Sequence, residues 1–330
     1  MRLFYREGTA AWPRSAAIGL LLPLIHRTGA PDAFADRSRA SLGAGAVRVR
    51  PLPAAAEEGR AGNMSVPIIT IHSDKGGVAK STTAVTLVDY FAREGRKVLA
   101  VDCDPGGEVE GLTMMRGTLA ADDSATTYGL ISHGDRVVMR DGMALVPADR
   151  DDLDSLNEDS GGAALTDLRD RLQEEAARLG FDVVVIDTAT GSSTFLTLSA
   201  ILAATHVVVP TEASFLTVGG LQSSFDTLFE IASSPVADPA LADNLGVLIT
   251  RFRASTLVHA QYKERIAEFC ADNGVKLFSE VIKEDTRVEQ AQGKGISIFD
   301  LPGPLNKAKA QYKWFCDELA EWVGLGKKEA

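Results

Sequence analysis

With 330 residues, 45% of them hydrophobic, the chain is long enough for one large domain or two small ones with a substantial core. Residues 1–63 hold nine of the 34 Lys and Arg and five of the 45 Asp and Glu, leaving 25 basic against 40 acidic residues over 64–330. So acidic a body excludes a protein whose whole surface grips nucleic acid, because phosphate neutralisation needs clustered Lys and Arg; a local basic patch stays open.

In chain order, residues 1–63 come first, rich in Ala, Arg, Gly and Pro, with an apolar run, Ile18 to His26, too short to span a bilayer. They are expected to be a disordered extension or sequence ahead of a start at Met64, and 64–330 is expected to be one domain. From Met64 onward, runs rich in Val and Ile (VPIITIH, KVLAVDCD, MALVPAD, FDVVVIDT, THVVVPT, LGVLITRF, VKLFSEVI) alternate with helical patterns such as STTAVTLVDYFAREG and GAALTDLRDRLQEEAARLG. Strand, helix, strand in this order predicts an α/β fold, a parallel sheet covered by helices on both faces. Runs without polar alternation agree, since a central parallel strand is buried on both sides. GDRVVMRDGMALVP reads as a hairpin-like excursion, and ADRDDLDSLNEDSGG as a solvated loop and helix start. Cys103, Cys270 and Cys316 are far apart and form no C-x-x-C pair, which fits a reducing cytoplasm and gives no support to a disulfide framework, structural zinc or cluster.

The stretch DKGGVAKSTT, Asp74 to Thr83, follows the first strand and opens the first helix. Ligands of parallel sheets bind there, beyond the carboxyl ends of the strands, where backbone N–H groups and the positive helix end cradle an anion. Gly76 and Gly77 allow close approach to a phosphate, and Val78 and Ala79 complete the loop. Lys80 reaches the β and γ phosphates, Ser81 is placed to ligate Mg²⁺, and Thr82 to donate to a phosphate oxygen. The loop still departs from G-x-x-x-x-G-K-[ST]: Asp74 and Ala79 stand at the glycine positions, and Lys75 is extra. A positive φ at Ala79 would cost roughly 1–2 kcal/mol.

K-G-G-V-A-K-S-T is similar to the deviant Walker A motif of the ParA/MinD family of P-loop ATPases. That resemblance implies that Lys75 reaches across a nucleotide-sandwich dimer to the partner's phosphates. VDCDPGG, Val101 to Gly107, resembles the family's switch I, which implies that Asp104 positions or polarises the attacking water and Asp102 orders the switch; Gly106 and Glu108 replace its usual Gln and Asn. FDVVVIDTATGSS resembles the Walker B and switch II segment, with Asp187 near Mg²⁺ and Thr188 after it. VVVPTEASFLTVGGL and VIKEDTRVEQAQGKGISIFD resemble later family segments, the second near the adenine.

The resemblance implies a slow, partner-stimulated ATP hydrolase, with ATP and Mg²⁺ bound, a homodimer in the ATP state, and a role in plasmid or chromosome partition. It implies nonspecific DNA and a small DNA-binding partition protein as partners, in a cytoplasmic, nucleoid-associated setting with no stable membrane insertion. Arg251, Arg253, Lys263 and Arg265 stand where partition members carry DNA contacts; a solvated face is the other reading. His72 and the series Tyr312, Phe315, Trp322 read as packing. The rivals are an accessory ATPase of conjugative DNA transfer and a cofactor-assembly ATPase on the same fold, the latter disfavoured in its iron-protein form by the missing cysteine pairs.

Overall fold

Val and Ile runs that lack polar alternation can only be satisfied between two layers of helices, and each of the seven forms a strand. They are β1 (Ile68–Ile71), β2 (Val98–Cys103), β3 (Met143–Val146), β4 (Val183–Thr188), β5 (His206–Glu212), β6 (Leu245–Phe252) and β7 (Lys276–Lys283). They make one sheet in the order β3-β2-β4-β1-β5-β6-β7, with every pair parallel. All residues of β1, β2 and β4 are buried. The computed structural model describes residues 66–105, 112, 125–148, 156, 164–191, 194–254, 257–303 and 306–326. The expected extension over 1–63, positions 106–108 and 192–193, and all of the acidic stretch 148–162 except Ala148 and Leu156 lie outside the described residues.

The helices are α1 (Lys80–Arg93), α2 (Asp167–Leu179), α3 (Phe195–Ala203), α4 (Phe215–Ala232), α5 (Leu257–Asp272), α6 (Thr286–Gln292) and α7 (Lys307–Trp322). On one face, Leu87, Val88 and Phe91 of α1 and Tyr312, Phe315 and Leu319 of α7 close over Ile69, Ile71, Val185, Val208 and Leu248. Each such side chain contributes about 1.5–3 kcal/mol of burial. On the other face lie α2 to α5: the Thr70 hydroxyl donates to the Ala200 carbonyl of α3 at 2.8 Å, and Phe225 meets Phe269 edge-on at 5.2 Å between α4 and α5. Tyr312 and Phe315 are fully buried, and Trp322 packs edge-on against Phe278 (5.4 Å) and His206 (4.7 Å), so the aromatic series of α7 is core packing.

The hairpin-like reading of GDRVVMRDGMALVP needs correction. Asp141 and Gly142 do make a turn with positive φ at both residues, and Arg140 and Met143 form an antiparallel bridge around it. But Met143–Val146 then pairs parallel with β2. The preceding Val137 has no ladder to join: Glu175 of α2 accepts from its N–H at 2.9 Å, and Arg178 donates to its carbonyl at 2.6 Å. Burial of Glu175 works against its charge, yet the donors from Arg178, Arg136 and Val137 hold its carboxyl below the usual range.

Candidate functional site

The strand register brings the chemistry together. Asp187 of β4 lies beside Ile71 of β1 on one side and beside Asp102 of β2 on the other, so two carboxylates neighbour each other where the loop after β1 turns into α1. There a cavity of about 550 Å³ is lined by Gly76, Gly77, Ala79, Lys80, Ser81, Thr82, Asp104, Thr190 and Arg251, and on its far wall by Val288, Gln292, Ile296 and Tyr312. That volume suits a small-molecule ligand.

The loop is built for close approach. Gly77 has φ 72° and Ala79 φ 67°, so the alanine standing at the motif's second glycine position does adopt the left-handed backbone. Asn306, Asp285 and Thr194 cap α7, α6 and α3 with side-chain oxygens, whereas no side chain caps α1, as none caps α2 or α4. Its first N–H groups face the cavity end of the helix with only the loop before them, which is the arrangement that binds anions. Val78 is buried beneath the loop, and the Thr250 hydroxyl at the end of β6 donates to the Val78 carbonyl at 2.9 Å. The Thr83 hydroxyl donates to the Ala79 carbonyl at 2.7 Å.

Asp187 is fully buried, and neither of its carboxylate oxygens has a hydrogen-bond partner of ordinary geometry. Burial pushes its carboxyl well above the usual range and the neighbouring Asp102 pushes the same way, while the Ser81 hydroxyl and the Lys80 ammonium pull down. A buried carboxyl whose oxygens lack partners costs about 1–3 kcal/mol or more, and a cation bound beside it offsets that cost. Among the described residues no group of three or more His, Cys, Asp or Glu could hold a metal by itself. One carboxylate plus the Ser81 hydroxyl, completed by ligand phosphates and water, is how Mg²⁺ is usually held, so the residues present fit that ion. The Asp102 carboxylate is buried and accepts from the Asp104 N–H at 3.0 Å, which sets Asp104 at the cavity edge.

Lys80 is buried and donates to the Thr190 hydroxyl at 3.0 Å. Lys75 turns to β5 of its own chain, donating to Glu212 Oε2 at 2.9 Å and to the Ser214 hydroxyl at 3.3 Å. His72 packs at the end of β1, with Nδ1 3.2 Å from the Thr188 hydroxyl and Nε2 3.5 Å from an Asp74 carboxylate oxygen. On the far wall, the Gln292 amide of α6 bonds the Thr82 hydroxyl, so the late VIKEDTRVEQAQGKG segment does line the cavity.

The four basic residues set apart in the sequence divide. Lys263 and Arg265 are exposed on α5. Arg253 is chelated by Glu284 at 2.6 and 2.9 Å, and Arg251 reaches back to the phosphate loop, donating to the Gly77 carbonyl at 3.0 Å. Thr190, Glu212, Thr250 and Gln292 were not singled out as site residues. Glu212 and Thr250 did carry a signal: each is a polar residue at the carboxyl end of an apolar parallel strand, where ligand sites lie.

A family model described as the CobQ/CobB/MinD/ParA nucleotide-binding domain matches residues 69–298. The chain is 35% identical over 254 residues to the chromosome-partitioning ATPase Soj of Thermus thermophilus, covering 76% of this chain and 94% of the relative. Among solved structures, a McdA variant from Cyanothece in complex with ATP has TM-score 0.64 at 24% identity, covering 81% of this chain and 100% of that one. The septum site-determining protein MinD of Pyrococcus horikoshii, complexed with Mg-ADP, has TM-score 0.60 at 19% identity over 80% and 100%.

Proposed function

Since the chain belongs to the CobQ/CobB/MinD/ParA nucleotide-binding family, we propose that it is a partition ATPase that binds ATP with Mg²⁺, dimerises face to face, and hydrolyses ATP slowly to let go of DNA or cargo. The observation that carries the ATP reading is the buried, unpartnered Asp187 beside Ser81 and Lys80 at the uncapped start of α1. The partition reading rests on the likeness to Soj. The same reading puts the protein in the cytoplasm on the nucleoid. Its three cysteines are buried free thiols, and among the described residues no helix is long and apolar enough to cross a membrane.

The chain's own residues do the following. The loop N–H groups and Lys80 would hold the phosphates, and Ser81 and Asp187 would hold the ion. Bound there, Mg²⁺ would neutralise charge on the phosphate oxygens. Asp104 at the cavity edge orients the attacking water and draws on its proton, while Lys80 and the partner's Lys75 oppose the charge that develops on the transferred group. To reach the partner, Lys75 must leave Glu212. That pair is partly exposed, 36% and 28% by side chain, and pairs of this kind are worth about 0–1 kcal/mol, so the exchange is cheap.

Nonspecific DNA is the proposed surface partner, through Lys263 and Arg265 of α5 with the edge of Arg253, and a small DNA-binding protein the proposed stimulator. One basic patch on an acidic body binds duplex weakly; dimerisation doubles it and links the two contacts, which makes binding ATP-dependent and strongly weakened by salt. The test is titration of unrelated duplexes with and without ATP at low and high salt, beside Asp104→Ala. Binding to all duplexes alike only with ATP is expected, with Asp104→Ala keeping ATP and losing roughly 100-fold or more in turnover. No ATP-dependent binding at low salt would sink the DNA surface, and undiminished turnover in Asp104→Ala would sink the assigned water-positioning role.

A further inference from the structure

Among the described residues three other than glycine have positive φ, and two of them, Ala79 and Arg251, border the cavity. The third, Asp141, sits in an Asp-Gly turn, where such a backbone is ordinary. Arg251 is different: a long side chain with φ 50° near the end of a sheet strand is strained, and strain of this kind persists where surrounding contacts over-determine it.

Those contacts are specific. Arg251 Nη1 donates to the Gly77 carbonyl at 3.0 Å, and the Thr250 hydroxyl donates to the Val78 carbonyl at 2.9 Å. Two consecutive residues of β6 thus hold two consecutive carbonyls of the phosphate loop. In a trans peptide the carbonyl and the following N–H point in opposite directions. Fixing the Gly77 carbonyl toward β6 therefore aims the Val78 N–H away from β6, and fixing the Val78 carbonyl does the same for the Ala79 N–H. The charge also counts. Glu284 lies 3.7 Å from Arg251 Nη2 and chelates Arg253, so one carboxylate is shared by two guanidiniums and only part of its charge falls to Arg251.

We propose that Arg251 is a positioning residue of the phosphate loop, one that orients the loop N–H groups through the Gly77 carbonyl and adds a positive charge from the same chain to the phosphate end of the cavity. This rests on the reading of the cavity as an ATP site. It also separates Arg251 from the basic residues of α5 with which its place in the sequence groups it.

Arg251→Gly removes the side chain where glycine takes the left-handed backbone without strain, so stability and affinity are expected to move in opposite directions. Its melting temperature should equal or exceed the parent's, while its Kd for MgATP and MgADP rises roughly tenfold or more and its weak affinity for adenosine stays put. A residue with a merely structural role would not show that split. Arg251→Gln, which keeps a donor for the Gly77 carbonyl without the charge, should lose less, and it serves if the glycine variant does not fold. Both variants binding MgATP as tightly as a parent that binds it well would overturn the proposal while leaving the ATP site standing, and would return Arg251 to the surface residues. A parent that does not bind MgATP would overturn both.

Discussion

At the amino end of the sheet, His206 packs against Trp322, the Ile68 N–H donates to the Thr205 hydroxyl at 2.9 Å, and the Asn244 amide donates to the Thr205 carbonyl at 3.0 Å. Lys97 and Asp182 bridge the starts of β2 and β4 at 2.8 Å, and packing there is so close that a Cβ at Gly246 would stand 3.0 Å from Phe278 and 3.1 Å from Trp322. The carboxyl end of the same strands holds a buried carboxylate with both oxygens unpartnered, a buried lysine, and two strained residues. One end is settled by packing and pairing within the chain; the other keeps, at Asp187, polarity that pairing within the chain leaves unmet. Stability is concentrated at the first and binding free energy is held in reserve at the second.

The largest break in that contrast is Lys80→Ala, which removes the charge-assisted contact to phosphate and should weaken MgATP binding about 100-fold or more with little change in thermal unfolding without nucleotide. Equal affinity by calorimetric titration would show that the carboxyl end is not the phosphate site. Next comes Asp187→Asn. In EDTA the variant should be more stable than the parent by about 1–2 kcal/mol, because an unpartnered buried carboxylate has been made neutral, and MgATP should no longer stabilise it as it does the parent. Urea unfolding reads both, and a variant less stable than the parent in EDTA would mean that Asp187 is paired after all.

At the amino end the sharpest probe is pH. Burial pushes the His206 imidazole down to about 4, against about 6.5 when unfolded. Between those values the unfolded chain binds more protons, so stability must fall as pH drops through that window, by about 1–2 kcal/mol at pH 5. His206→Gln should flatten this part of the urea-midpoint profile; an unchanged slope would assign the loss to other groups. The smallest effect is expected at Ala79→Gly. Relief of roughly 1–2 kcal/mol of left-handed strain, less about 0.5–1 kcal/mol of glycine chain entropy, leaves a gain of about 0.5 kcal/mol in unfolding free energy. A loss would mean that the strain at Ala79 is already relieved by its surroundings.

How much of this was legible in the sequence differs between the two ends. The seven strands declared themselves because buried parallel strands need unbroken apolar runs, and the loop declared itself because Gly76, Gly77 and Lys80 sit between such a run and an amphipathic helix. The left-handed Ala79 followed from the motif position alone. The partners of the loop did not, since they are set by the order of strands: Lys80 meets Thr190 across 110 residues, Lys75 meets Glu212 across 137, and Arg251 meets Gly77 across 174. Arg251 was grouped with Arg253 on the resemblance to partition members, and nothing local to either residue announces that Arg251 reaches the Gly77 carbonyl. The hairpin-like excursion before β3 stops at the Asp141-Gly142 turn for a similar reason: the groups that claim Val137 are side chains of α2, and no local pattern announces them.

The strand order has a consequence for how the chain is made. β1 emerges first but sits near the middle of the sheet, and its neighbours on either side are β4 and β5. Its first tie to the β4 side spans 116 residues, its tie to the β5 side 137, and the clasp of Val78 by Thr250 spans 172. Local helices can form during synthesis, but long-range parallel pairing has to wait until the distant strand exists. A nascent chain therefore carries an apolar β1 with neither flank covered until β4 (Val183–Thr188) has left the ribosome and one flank open until β5 (His206–Glu212) has, and its phosphate loop lacks its frame until β6 has followed.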